Sequence, residues 1–368
     1  MKVLHISGAT SWGGNEQQIL DLIPELTELD IENTVFGVGN SLLHKECLSH
    51  NINFISSKKN KLNKFVNYRY LKTIVKEIKP DLIHLHTSDS LTVFTISDLL
   101  FGLKTKAVFS KKGMGSSSSI LSKFKYNYKN IGTIICVSEA VKKSFSSIVI
   151  KKNISKLTVV YDGINLNRAN SESKLDIRKE FNIDKDKIII GNIANHVKAK
   201  DLLTLVKAIN HLVNHLGVNN IRLIQIGKFS DKFTPDIQNL IAELKLEKYF
   251  TLANFNANAL DFLAQFDLFA MSSEREGLPL TIYEAFLKKV PVVSTKAGGI
   301  PEALIDDYNG YLCDIKDFES LAVNIKRLIE NKEKQKEFVD RSYQFFFDKF
   351  TAEKCANNTL KVYQNILN

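Results

Sequence analysis

The stretch of residues 266–302, FDLFAMSSEREGLPLTIYEAFLKKVPVVSTKAGGIPE, constrains the fold more than any other part of the chain. Two short apolar runs, 266–271 and 290–294, have the length and composition of buried parallel strands. Each is followed by a loop of small residues and then by a helix start. Gly277 and Pro279 open the first helix, with Leu278 between them and Glu284 just past the first turn. In the second unit Gly298 and Gly299 allow a ligand close to the backbone, and Pro301 suits the first helical position. Both helix N-termini are expected at one crevice, a ready anion site. Glu276 and Glu284 project into it. Carboxylates beside an anion cradle suit a ligand that has hydroxyls to fix and a diphosphate to neutralise.

The same alternation runs through the whole chain. Strands are expected at 2–7, 33–38, 81–86, 107–110, 133–137 and 157–160, with helices at 16–28, 68–78 and 139–145. A polar linker is expected at 167–174. A second series then opens, with strands at 188–190, 222–226 and 250–252 and helices at 201–216 and 235–244. Two consecutive runs of this kind mean an α/β chain of two doubly wound domains, with ligands at the carboxyl ends of the strands. A length of 368 residues allows two such domains. The four cysteines are far apart and form no C-x-x-C pair, which speaks against a disulfide framework or a zinc site and for a reducing compartment. The apolar N-terminal run reads as a first strand rather than a signal peptide. The apolar stretch 91–103, interrupted by Asp98, is too short to span a bilayer.

The order Glu276-x7-Glu284 within EGLPLTIYEA, followed by PVVSTKAGGIPE, resembles the donor-site signature of the retaining glycosyltransferases of family 4. The resemblance extends over almost the whole chain. It implies the GT-B fold: two Rossmann-like domains facing each other across a cleft, residues 1–167 on the acceptor side and 168–349 binding the nucleotide-sugar donor. A C-terminal helix, about 350–368, would cross back to the first domain. It further implies that Glu284 holds the donor's ribose and that Glu276, with Gly277 and Leu278, holds the donor sugar. Gly298, Gly299 and Lys200 would stabilise the departing diphosphate. The segment GNIANHVKAKD (191–201) occupies the place of the family's basic clamp. Lys200 matches its lysine, but Asn195 stands where an arginine is usual, leaving Lys198 to supply the missing charge. Gly13 and Gly14 match the family's G-G-x-E loop, near the donor phosphates, with Trp12 stacking on a sugar or capping the cleft. His84 and His86 are expected on opposite faces of their strand. His86 would reach the cleft as a catalytic residue beside Glu276 and Lys200, and His84 would lie buried. Further departures are Lys111-Lys112-Gly113, where relatives carry a histidine before the glycine, and Gly227-Lys-Phe-Ser, which lacks a second glycine and a proline.

Charge divides unevenly. Residues 1–167 hold 22 Lys and Arg against 13 Asp and Glu, and residues 168–368 hold 28 against 27. No acid occurs between Asp98 and Glu139, where Lys104, Lys106, Lys111, Lys112, Lys123, Lys125 and Lys129 accumulate. A basic first half fits an anionic membrane surface or a phosphate-bearing acceptor, with no module for nucleic acid. Asp184-x-Asp186 sits in a polar turn ahead of a strand, and no other His, Asp and Glu cluster has metal-ligand spacing, so no metal or other cofactor is expected. The expected partners are a nucleotide-diphosphate sugar, UDP-linked or GDP-linked, and a saccharide or lipid-linked acceptor in cell-envelope polysaccharide synthesis. The place of work would be the cytoplasm or the inner face of its membrane. A sugar-nucleotide epimerase of the same fold, or a weakly catalytic donor-binding subunit, are the alternatives. The oligomeric state is left open.

Overall fold

The computed structural model describes residues 1–115, 119–169, 175–256 and 259–368. Residues 170–174 of the expected linker lie outside the described residues. The chain forms two compact units, Met1–Asn165 with Phe350–Asn368, and Leu166–Lys349.

The first unit is built on seven parallel strands: β1 Lys2–Ser7, β2 Glu32–Gly37, β3 Asn53–Ser56, β4 Leu82–Leu85, β5 Ala107–Lys111, β6 Ile131–Cys136 and β7 Leu157–Val159, in the order β3-β2-β1-β4-β5-β6-β7. Every residue of β4 and β5 is buried, as parallel strands covered on both faces must be. The short strand β3 gave no clear apolar run, because it is a half-exposed edge. The stretch 91–103 is largely the helix Ser88–Phe101, which begins with a reciprocal cap between Thr87 and Ser90 and ends at Gly102 in the left-handed region.

The last helix, Ala352–Leu367, belongs to this unit. Ile164 and Thr351 form a bridge, reinforced by Ile164 N–H to Phe350 O at 2.9 Å and Ala352 N–H to Ile164 O at 3.0 Å. Gly163 is required there, since a Cβ would lie 2.1 Å from the Thr351 carbonyl oxygen. Cys355, Ala356, Val362, Tyr363 and Ile366 then fill a core made with Val3, Leu22, Leu26, Leu82, Val108 and Ile135. Each large apolar side chain so buried contributes about 1.5–3 kcal/mol, which is why the chain returns to finish its first unit.

The second unit has six parallel strands: β8 Ile188–Ile193, β9 Ile221–Ile226, β10 Phe250–Ala253, β11 Leu268–Met271, β12 Val292–Thr295 and β13 Tyr311–Cys313. Their order is β10-β9-β8-β11-β12-β13. Gly191 lets the ring of Phe266 pack on β8, where a Cβ would meet it at 1.8 Å. One local expectation fails. The segment after β12 is a 3-10 turn, Ile300–Glu302, and not an α-helix. Pro301 stands where a helix could start, but the chain bends away into β13, so of the segments after β11 and β12 the first alone, with the helix Leu280–Leu287, presents a helical N-terminus. In each sheet the strand order reverses once, between β1 and β4 and between β8 and β11. Ligands of doubly wound sheets bind outside the strand carboxyl ends at these points.

Candidate functional site

At the switch point of the second sheet, β8 runs into a turn at Lys198–Lys200. Asp201, in the left-handed region, then starts the helix Leu202–Asn214. The loop after β11 is fastened to that turn. Glu274 and Arg275 donate their N–H groups to Ala199 O at 2.9 and 3.2 Å, and Ser272 Oγ donates to Lys200 O and Asp201 O at 3.2 and 2.9 Å. This delivers Lys200 Nζ to Glu276 Oε1 at 2.6 Å, where Ser273 Oγ also donates, at 2.7 Å. The loop after β12 closes the group: Thr295 Oγ1 donates to Ser273 O at 2.6 Å. Gly298, at φ +56°, packs so tightly on Glu276 that a Cβ would lie 1.8 Å from its carbonyl oxygen. Three loops from three neighbouring strands therefore converge on one largely buried ion pair.

The structure thus joins Lys200, Glu276 and Gly298. Gly277, Leu278 and Gly299 are buried in the same loops, and Glu284 is half-buried on the helix Leu280–Leu287. Asn195 does not join them. Its Oδ1 accepts Lys228 N–H at 2.9 Å, so it ties the loop after β8 to the loop after β9, while Lys198 is exposed. That neighbouring loop shows why Gly227 is needed without a second glycine: a Cβ there would lie 1.9 Å from Ala194 O. Asp184 and Asp186 are exposed in the turn before β8, at the opposite end of that strand from Lys200.

At the switch point of the first sheet, Gly13 precedes the helix Gly14–Glu28 and has no side chain to cap it. Glu16 does so instead: its buried carboxylate folds back onto the Gly13 and Glu16 N–H groups, and burial pushes its pKa up to about 7. Trp12 packs against the core cluster of Ile19, Leu20, Ile23 and Val35. His84 is buried as expected, but the expectation that His84 and His86 lie on opposite faces is overturned. Residues two apart on a strand share a face, and the His84 and His86 rings lie 4.1 Å apart, both buried. His5 of β1 joins them. Its Nδ1 is 3.0 Å from His86 Nε2, and its Nε2 is 3.0 Å from Asn33 Oδ1. His84 lies between Tyr363 OH, 2.6 Å from Nδ1, and Ser110 Oγ, 2.7 Å from Nε2.

A three-histidine cluster was not expected from the sequence. The signal available was the pair at 84 and 86, read with the correct period of two. His5 was reachable only through the cross-strand register that sets it opposite His84. Burial drives the pKa of His5 down to about 4, and burial with neighbouring positive charge drives His84 and His86 well below the ordinary value. Two lysines counted as surface charge are also turned inward. Lys111 Nζ donates to Gly115 O at 2.6 Å, burial lowering its pKa to about 8, and Lys125 Nζ donates to Thr92 Oγ1 at 2.8 Å. Lys112, at the place of the relatives' histidine, forms an ion pair with buried Asp162.

These shifts have opposite signs in stability. The three histidines stay neutral in the folded chain, so stability is complete above about pH 6.5 and is lost as pH falls. Glu16 holds a proton that the unfolded chain releases above about pH 4.5, so it adds stability as pH falls from 7. Each proton changes the slope by about 1.4 kcal/mol per pH unit. Glu16→Gln removes the opposing contribution, and its urea midpoint should fall more steeply than the parent's between pH 6.5 and 5. Equal slopes by circular dichroism would contradict the buried, protonated Glu16.

Comparison with known proteins fits this arrangement. The family model for glycosyltransferase family 4 matches residues 12–168, and that for glycosyl transferases group 1 matches residues 173–345. The chain is 23% identical over 293 residues to the N-acetyl-alpha-D-glucosaminyl L-malate synthase of Bacillus anthracis, covering 78% of this chain and 75% of that one. It is 27% identical over 212 residues to the O-antigen biosynthesis glycosyltransferase WclY of Escherichia coli, covering 58% and 56%. Its fold is similar to that of Anabaena HepE, solved in complex with UDP-glucose, with a TM-score of 0.86 at 20% identity over 99% of this chain and 100% of the other. Two parallel doubly wound sheets with a returning C-terminal helix are the GT-B fold, and the chain belongs to the family 4 glycosyltransferases.

Proposed function

We propose that this glycosyltransferase moves a sugar from a nucleotide-diphosphate sugar to a hydroxyl of a saccharide or lipid-linked acceptor, with retention of anomeric configuration, in cell-envelope polysaccharide assembly. The observation that carries the reading is the Lys200–Glu276 pair, held by three loops at the switch point of the second sheet. An arriving diphosphate competes for the Lys200 ammonium, which releases Glu276 to accept hydrogen bonds from the donor sugar. Lys200, exposed Lys198 and the backbone around Gly298 and Gly299 then stabilise the charge that develops on the leaving diphosphate. Glu284 holds the ribose hydroxyls. UDP is the favoured base carrier, supported by the UDP-glucose complex of HepE, with GDP as the alternative. The O-antigen relative supports an envelope saccharide as product. In this reading the leaving group is neutralised by lysine and backbone, with no bound metal, so activity should survive EDTA.

Membrane attachment on the cytoplasmic face is part of the proposal. Leu99, Leu100, Ile120, Leu121 and Phe124 are exposed, Ile120 at 90%. Lys104, Lys106, Lys123 and Lys129, close to them in sequence, are exposed as well. Lys125 fastens the helix Ile120–Tyr126 to the helix Ser88–Phe101. Among the described residues no helix is long and apolar enough to cross a membrane. Apolar side chains amid lysines suit an anionic lipid surface, each lysine adding about 1 kcal/mol of screened attraction.

Two outcomes follow. Glu284→Ala should weaken calorimetric binding of bare UDP, while Glu276→Ala should depress turnover without weakening it; parental UDP affinity in both variants would refute the division of roles. In sedimentation with anionic vesicles, Lys104/Lys106/Lys123→Glu should stay in the supernatant at low salt while the parent pellets. Lys125 is left intact because it is buried. Equal recovery of both proteins would favour a soluble acceptor.

A further inference from the structure

The histidine cluster of the first unit has one hydrogen-bonding position left over, and its chemistry is determined by the chain of partners behind it. The chain starts at Asn33. Its Nδ2 donates to Ile31 O at 2.8 Å and to Thr27 Oγ1 at 3.1 Å, so the amide cannot be reversed without setting oxygen against a carbonyl. Asn33 Oδ1 therefore faces His5, and the proton of a neutral His5 resides on Nε2. His5 Nδ1 is then bare and needs a donor, which among the described residues His86 Nε2–H supplies, at 3.0 Å. A neutral His86 with its proton on Nε2 has a bare Nδ1. That atom is buried and has no hydrogen-bond partner among the described residues.

His84 offers no such capacity, because Tyr363 and Ser110 occupy both of its nitrogens. The three rings bring ligand atoms within 4.8 Å of one another. A metal ion there would have to displace the proton between His5 and His86 and one hydroxyl partner of His84. His86 directly follows β4, and the next residue, Thr87, accepts Gly8 N–H at Oγ1 at 3.0 Å. Gly8 begins the loop that leads to Gly13 and Gly14. The bare nitrogen thus belongs to the switch point of the first sheet, where a doubly wound fold takes its ligand.

We infer that Asn33 and His5 are positioning residues that hold His86 as its Nε2–H tautomer, so that the bare Nδ1 accepts a hydrogen bond from a sugar hydroxyl. This rests on the sugar-transfer reading for the hydroxyl and on the hydrogen-bond chain alone for the tautomer. The suppressed basicity of all three rings fits binding by an uncharged acceptor rather than proton removal. An acceptor of this kind selects a ligand that brings its own O–H, and a deoxy sugar at that position leaves it unpaired.

Two measurements on the full chain test the inference. Long-range proton–nitrogen correlation of histidine-labelled protein, without nucleotide, should show His86 neutral, protonated at Nε2 and bare at Nδ1. Asn33→Ala should produce a tautomer mixture. A charged His86, an Nδ1–H form, or no change in Asn33→Ala would overturn the relay whatever the enzyme does. In UDP-glucose turnover, Asn33→Ala and His86→Gln should each lower kcat about tenfold, the value of one neutral hydrogen bond, with bare UDP affinity unchanged. His86→Asn, whose amide oxygen can take the place of Nδ1, should keep more activity than His86→Gln. Parental turnover in every variant, with the tautomer as expected, would overturn the hydroxyl contact while leaving the donor site of the second unit intact.

Discussion

The hydrogen bonds between the turn at Lys198–Lys200 and the loop at Ser272–Glu276 are what the candidate donor site depends on. They cross the one place in the second sheet where the strand order reverses, so two loops that point apart in topology must be tied together in space. Once tied, the ammonium of Lys200 has little choice but Glu276, which Ser273 orients from behind. A largely buried ion pair of this sort adds little net stability, because desolvation offsets most of the attraction. In the proposed function its value is as a placeholder: charges already desolvated and oriented before a ligand arrives cost less to use.

Much of this was legible in the sequence because it is local. Buried parallel strands announce themselves as apolar runs, and β11 and β12 with their loops were found with Glu276, Gly277, Gly298 and Gly299 in place. The reason for Gly298 is sharper than close approach of a ligand, since its positive φ and its contact with the Glu276 carbonyl exclude any side chain. The 3-10 turn at Ile300–Glu302 was misread because a proline and two glycines signal a helix start without saying how far the helix continues. The sequence marks Asn195 only as a departure at the place of the clamp's usual arginine; its bond to Lys228 depends on the approach of a different loop.

What the sequence concealed is non-local. His5 lies 79 positions before His84 and becomes its neighbour only through strand register. Asn33 enters through β2, on the other side of β1. Lys111 and Lys125 look like their exposed neighbours in composition and differ only in having carbonyl or hydroxyl partners indoors. The basic surface of the first unit is correspondingly smaller than its charge count.

The central claim, that Lys200 is held in readiness for a diphosphate, is tested most directly by calorimetry of UDP and uridine binding to the parent and to Lys200→Met. The account predicts that UDP affinity falls at least about tenfold, or about 1.4 kcal/mol, while uridine affinity is retained. An unchanged affinity for UDP, or an equal loss for both ligands, would contradict it.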